Sequence, residues 1–293
     1  MPTRLMIPGP VTVEDEVLQQ MGGPVQAHYG PEWTATYNEA RDLLKQVFQT
    51  QGDVHILVGS GSAGLDAAIG SMAAPGDSIV IGRNGFFGQR LVEIGCNYGL
   101  EVTVVDAPPG EPLTPMAVAE ALDQNPDATA LAVVHLETST TIVNPIPEIA
   151  DVAYQRGVPV IADAVSSLAG ITLAMDDWHI DICVGASQKC LGAPPGLAPV
   201  AVSSRAWEAM GARPDRGHGW YLNLEIWQRY AESWGEWHPF PITMATNNVL
   251  ALRAGLKSLL AEGLEVRIER YTRLARRLRD GVRQLRLQPV SYT

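Results

Sequence analysis

The sequence predicts an α/β protein built on one large, mostly parallel seven-stranded sheet with helices on both faces. Three observations predict it. Seven short β-branched runs, each bounded by Gly, Pro or Asp, read as buried strands. Between several of them, apolar residues recur at helical spacing. The residues with chemical character fall just after those runs, where ligands sit in open parallel sheets.

The elements follow in chain order. Residues 1–20 form a lead-in segment holding Pro8-Gly9-Pro10, and a helix is predicted near 34–49. The strand runs are VHILVG (54–59), DSIVIG (77–82), EVTVVDA (101–107), ALAVVHLE (130–137), VPVIADA (158–164), DICVGAS (181–187) and APVAVS (198–203). Leu65, Ile69 and Met72 share one helical face, as do Val118, Ala121 and Leu122, and Ile149, Val152 and Ala153. After residue 205 comes a Trp/Gly/Pro-rich stretch to about 243, then a long amphipathic helix over 246–285 rich in Arg and Leu. The expected division is a lead-in at 1–20, a large ligand-binding domain at 21–245, and at 246–293 a long helix with the start of a C-terminal domain that is largely absent.

Composition narrows the function. Hydrophobic residues at 46% and charged residues at 18% describe a folded chain. A net charge of −11 argues against nucleic acid or an anionic membrane as partner, while leaving room for a local phosphate pocket. The spacing of Cys96, Cys183 and Cys190 gives no zinc pattern, so buried thiols in a reducing compartment are expected. There is no signal-peptide core and no apolar run of membrane-spanning length, and a cytoplasmic protein is the expectation.

Three motifs carry chemistry. Gly59-Ser60-Gly61-Ser62-Ala63-Gly64 follows a strand and opens a helix, where free amides and the helix dipole favour a phosphate. Read literally it is also the dinucleotide fingerprint, with Arg83 as an NADP reader, or a tight turn with no ligand. Lys189, in Gly185-Ala186-Ser187-Gln188-Lys189, ends a buried strand ahead of a Pro/Gly turn. Desolvation there would free its amine for attack on an aldehyde; the alternative is a solvated rim lysine. Asp163 ends another apolar run and is suited to hold a pyridine nitrogen protonated, or to cap the next helix. Phosphate, ring nitrogen and aldehyde each have a partner in this set, which together specifies pyridoxal 5'-phosphate.

At these residues the chain resembles the class V, fold-type I aminotransferases, in particular the alanine–glyoxylate and serine–pyruvate group. The resemblance is carried by GASQKCLGAPPG around Lys189, with IPGP, GSGSAGLDAAI, PGDSIVIGRNGFFGQR, HLETST and VIADAVSS, and runs from about Met6 past residue 285. It implies that Lys189 forms the Schiff base, that Asp163 partners the pyridine nitrogen, and that Ser60, Gly61 and Ser62, with Gln188, hold the phosphate. It further implies that Phe87 stacks on the ring, that Val165 packs on its other face, and that Thr138 lies near the phenolic oxygen. Relatives reach across a homodimer to the partner's phosphate with a Tyr-His-Thr-like segment; here that stretch reads Glu236-Trp237-His238-Pro239, so His238 is the candidate and a structural histidine the alternative. Gly9 and Tyr29 are read as lining the substrate mouth, with simple turn chemistry as the alternative. Relatives also carry a C-terminal arginine that clamps the substrate carboxylate; this chain stops before it, and Arg267 to Arg286 read as a solvated helix face.

The implied activity is transfer of an amino group from alanine or serine to glyoxylate or pyruvate. A lyase of the same fold, a non-catalytic cofactor-binding protein and an NADP-dependent dehydrogenase are the alternatives. A desulfurase needs a mobile cysteine, which neither Cys183, inside a strand, nor Cys190, beside Lys189, supplies.

Overall fold

The computed structural model describes residues 5–108, 110–213 and 219–287. All seven strand runs enter one sheet. In chain order they are β1 (Asp53–Val58), β2 (Ser78–Arg83), β3 (Glu101–Asp106), β4 (Ala130–Val134), β7 (Val160–Asp163), β8 (Ile182–Val184) and β9 (Leu197–Val202), arranged β1-β9-β8-β7-β4-β2-β3. Only β9 runs against its neighbours β1 and β8; the β8-β7-β4-β2-β3 pairs are all parallel. Every residue of β4, β7, β8 and β9 is buried, which requires cover on both faces and explains why these runs are continuous apolar stretches rather than alternating ones. The 130–137 run is shorter in the sheet than its pattern suggests. It leaves the sheet after Val134, and β5 (Leu136–Glu137) pairs with β6 (Ile142–Val143) as a separate antiparallel ladder.

The helical faces read at 65–72, 118–122 and 149–153 lie in helices between strands, as their periodicity predicts, and further helices join them. α2 (Pro31–Phe48) buries Trp33, Tyr37, Leu44 and Phe48 and packs on β1 and β9. Pro at its first position starts it. α3 (Gly61–Met72) lies over β8 and β9, α4 (Phe86–Asn97) over β2, β3 and β4, α5 (Pro115–Gln124) on β2 and β3, and α6 (Ile146–Gln155) on β7. α1 (Asp15–Met21) packs against α9 (Thr246–Glu262), which also covers α2. α7 (Ser204–Gly211) and α8 (Leu224–Ser233) flank the stretch after the last strand.

The single long helix expected over 246–285 is two. Gly263, at φ 90°, stops α9, and α10 (Leu264–Gln284) begins at the next residue. A positive φ costs glycine little and any other residue more, so the break is written at that position. Residues 288–293 lie outside the described residues. The cysteine expectation also needs correction: Cys183 is buried in β8 and Cys190 partly buried, but Cys96 is exposed on α4.

Candidate active site

The site forms where β7 and β8 end side by side, with Asp163 and Val184 in register. The first turn of α3 lies directly over those tips. A Cβ on Gly61 would stand 2.6 Å from Val165 Cγ2 and 3.2 Å from Ala186 Cβ, so only glycine lets the helix end approach this closely. Ser60 is the N-cap residue, yet its side chain makes no capping bond, and its carbonyl takes the amide of Ala63. Among the described residues no acceptor takes the amides of Gly61 and Ser62. Two free amides at the positive end of a helix make an anion site.

Asp163 is 4% exposed, and its Oδ1 accepts the Val165 amide at 2.9 Å. Burial pushes its carboxyl up to about 6; the Val165 bond opposes this, Glu137 adds to it, and Arg90 and Lys189 act against it. Lys189 does not end the strand as expected: β8 stops at Val184, and Lys189 lies in the turn beyond its tip. Burial holds its amine below the ordinary lysine range, while Cys190 and Asp163 pull it back up. Its Nζ donates to the Pro8 carbonyl at 3.2 Å. Gly9 lies flat on the same side chain: a Cβ there would stand 2.8 Å from Nζ, at a φ of 149°. Val11 N–H donates to the Gln188 carbonyl at 3.0 Å, so the lead-in segment is strapped across residues 188 and 189. The buried Gln188 Oε1 has no hydrogen-bond partner among the described residues.

The stacking candidate Phe87 stands in the first turn of α4. Its amide and that of Gly88 both donate to Glu137 Oε2, at 2.9 and 3.0 Å. Thr138 Oγ1 shares a hydrogen bond of 2.6 Å with Ser166 Oγ, joining the 138 loop to the segment after β7. Arg90, one turn along α4, donates from Nη1 to Ser62 Oγ at 3.0 Å, and its guanidinium carbon lies 4.8 Å from the Phe87 ring centre. The structure thus brings Ser60, Gly61, Ser62, Phe87, Thr138, Asp163, Val165, Gln188, Lys189 and Gly9 around the β7–β8 tips. The sequence reading missed Glu137 and Arg90. Both lie inside motifs it used, but neither residue type marks itself as cofactor-facing.

Two candidates stand elsewhere. His238 Nε2 sits 3.2 Å from His28 Nδ1 and its ring packs on Phe240. Tyr29 is half exposed and stacks on Trp237. These side chains build an aromatic cluster in which Gly30 N–H donates to the Trp237 carbonyl at 2.8 Å, and their described contacts run to one another rather than to Lys189. Arg267 is not on a solvated face. Its side chain is only 13% exposed, and Nη2 donates to the Cys190 carbonyl at 3.0 Å. Arg83, the NADP-reader candidate, is forked onto Asp106 at 2.7 and 2.8 Å, which removes it from a ribose phosphate.

The residues fit pyridoxal phosphate. Gly61 and Gly9 leave backbone cradles that a Cβ would fill, and among the described residues the buried Asp163 carboxyl has no ion-pair partner, a place that a protonated pyridine nitrogen would take. Beside Lys189 a cavity of about 440 Å3 opens, lined among others by Val11, Ser166, Cys190, Arg267 and Tyr271.

Known proteins resemble this chain along most of its length. The family described as Aminotransferase class-V matches residues 11–289. An uncharacterized aminotransferase of Methanocaldococcus jannaschii is 40% identical over 284 residues, spanning 97% of this chain and 73% of that protein. The (S)-ureidoglycine–glyoxylate transaminase of Bacillus subtilis is 31% identical over 300 residues, spanning 97% and 72%. The crystal structure of an alanine–glyoxylate aminotransferase from Nostoc sp. superposes with a TM-score of 0.91 at 32% identity, covering 97% of this chain and 75% of that one.

Proposed function

The chain belongs to the class-V aminotransferases, transaminases that depend on pyridoxal phosphate, and we propose that it moves an amino group from alanine or serine to glyoxylate or pyruvate. Two relatives carry glyoxylate in their names, which supports a small 2-oxo acid as acceptor. The observation that carries the reading is the pair formed by Lys189 and Asp163 under the free end of α3.

Pyridoxal phosphate, when bound, supplies an electron sink for the substrate's α-carbon. The residues do the rest. The Gly61 and Ser62 amides, the Ser60 hydroxyl and the Gln188 carboxamide N–H would hold the phosphate. Phe87 and Val165 would flank the ring, and Thr138, fixed by Ser166, would serve its phenolic oxygen. Asp163 would hold a proton at the pyridine nitrogen, and that cation would offset the burial that raises its carboxyl. Lys189 would attach the aldehyde through Nζ and, when free, would be the base for the substrate's α-proton. Its desolvation keeps a larger neutral fraction than an exposed lysine has. Gly9 carries no Cβ to collide with the Lys189 side chain.

A homodimer belongs to the same proposal. Tyr29, Trp220, Tyr221, Trp234 and Trp237 are all 41% exposed or more. Exposed aromatics of this kind are typical of buried interface cores, and His238 sits among them. No described helix is long and apolar enough to cross a membrane, and the free thiols suit the cytoplasm.

The test is covalent. Borohydride treatment of the yellow holoprotein should fix one cofactor on the peptide holding Lys189, and Lys189→Ala should abolish both colour and labelling. Alanine with glyoxylate should then give pyruvate and glycine. A colourless protein, or label on another lysine, would refute the assignment.

A further inference from the structure

A phosphate monoester carries about −1.5 to −2 charges near neutrality. The donors found at the α3 end are amides, hydroxyls and a carboxamide, and the helix end itself is equivalent to only about +0.5 charge. A full cation is missing from that set. Arg90 supplies one. It follows Phe86 and Phe87 at the i+4 and i+3 spacings that bring helix side chains together, and its guanidinium lies 5.2 and 4.8 Å from their ring centres. From there Nη1 reaches across to Ser62 Oγ at 3.0 Å. Among the described residues no carboxylate pairs with Arg90, whereas Arg83, Arg156, Arg205 and Arg267 are each held by one. An arginine carried to a helix N-terminus without a carboxylate in ion-pair contact among the described residues, with Nη1 already at the hydroxyl of residue 62, is placed for a ligand anion.

We infer that Arg90 is a ligand of the cofactor's phosphate and, by lying on Phe87, couples phosphate binding to the position of the stacking ring. The inference rests on the pyridoxal phosphate assignment. A planar guanidinium can give two parallel hydrogen bonds to phosphate oxygens, which a lysine cannot. It also makes the phosphate turn and α4 a single unit, since Ser62 and Phe87 meet through one side chain.

Dissociation constants of the apoprotein for pyridoxal phosphate, for pyridoxal, which lacks the phosphate, and for inorganic phosphate separate the possibilities. Arg90→Met should weaken pyridoxal phosphate at least tenfold, about 1.4 kcal/mol, while pyridoxal stays within about twofold. Inorganic phosphate should compete with the cofactor on the parent protein and lose most of that effect on Arg90→Met. Arg90→Lys should lie between. Should Arg90→Met fail to fold, the ratio of the two affinities in Arg90→Lys decides: a lower ratio than the parent's supports the inference, an unchanged ratio overturns it. Equal losses for pyridoxal phosphate and pyridoxal would also overturn it, leaving Arg90 a packing role alone. A parent protein that binds neither compound would defeat the cofactor assignment and this inference with it.

Discussion

Asp163 concentrates the site's electrostatics in one carboxyl. Its ordinary value of 3.8 rises to about 6 because the group is buried, and the Val165 amide, Arg90 and Lys189 offset only part of the lost water. The consequence for stability has a definite sign. Between about pH 4 and 6 the unfolded chain has released this proton and the folded chain has not, so folding stability falls as pH rises through that window and levels above it. Ionising the buried group costs about 3 kcal/mol, from a change of 3.8 to about 6. Asp163→Asn keeps the shape and removes the titration. The apoprotein's melting temperature relative to Asp163→Asn should therefore decline from pH 4 to 6, and saturating cofactor should shrink the decline by placing a cation at the carboxylate. Parallel melting curves for the two proteins would show that Asp163 is not buried as a lone acid. Lys189 is its counterpart, an amine made less basic by burial; Asp163 was legible because charged residues seldom end apolar strands, and Lys189 because a charge follows closely on such a run.

At the scale of elements, α4 shows what a helix without a local cap must do. Its N-cap position is Gly85, which has no side chain to take the first amides. Glu137, from the β5 strand, takes them instead. Its Oε2 accepts Phe87 and Gly88 N–H, and its Oε1 accepts Ser139 N–H and Oγ–H at 3.0 and 2.6 Å. All four partners are donors, so a carboxylate satisfies them and a carboxamide cannot. Glu137→Gln must set its NH2 against one pair, a loss of about 1–3 kcal/mol in stability. Because Phe87 then loosens, cofactor and pyridoxal should weaken alike, the opposite of the Arg90 pattern. Equilibrium denaturation and the two affinities check this, and a selective loss of the phosphorylated compound would count against it. The strands were readable because an apolar run bounded by turn residues is a local pattern. The pairing of Glu137 with residues 87 and 88 was not, since no local rule selects a partner 49 or 50 residues away. A helix start lacking Ser, Thr, Asp or Asn was the available signal. Gly263 was likewise visible, but the Arg/Leu period continues through it and the apolar pattern outvoted the breaker.

Across the whole molecule, the turn that carries Lys189 is held from both directions of the chain. From the N-terminal side, the Pro8 carbonyl takes Lys189 Nζ and Val11 N–H binds the Gln188 carbonyl. From the C-terminal side, α10 sends Arg267 to the Cys190 carbonyl, 77 residues away, while Glu262 takes its Nη1 at 3.0 Å and Tyr271 lies 5.2 Å beneath it. α10 buries no described residue completely, and Arg267 is the side chain it sends to the backbone of the turn. Sequence reading placed Arg267 among solvated arginines because α10 is rich in them and a guanidinium's target is a matter of tertiary geometry. Arg267→Met keeps length and apolar packing but removes the bond to Cys190 and leaves Glu262 with Arg270 alone. A hydrogen bond to a charged group contributes about 1.5–3 kcal/mol, and a loss within that range is expected in denaturation. The specific expectation is local. Amide exchange should accelerate in the 187–193 turn, where Gly192 N–H closes on the Lys189 carbonyl at 2.9 Å, and stay slow in β4. Acceleration in β4 to the same degree would mean that Arg267 supports the fold at large rather than the turn, and an unchanged turn would mean that the lead-in strap alone holds Lys189 in place.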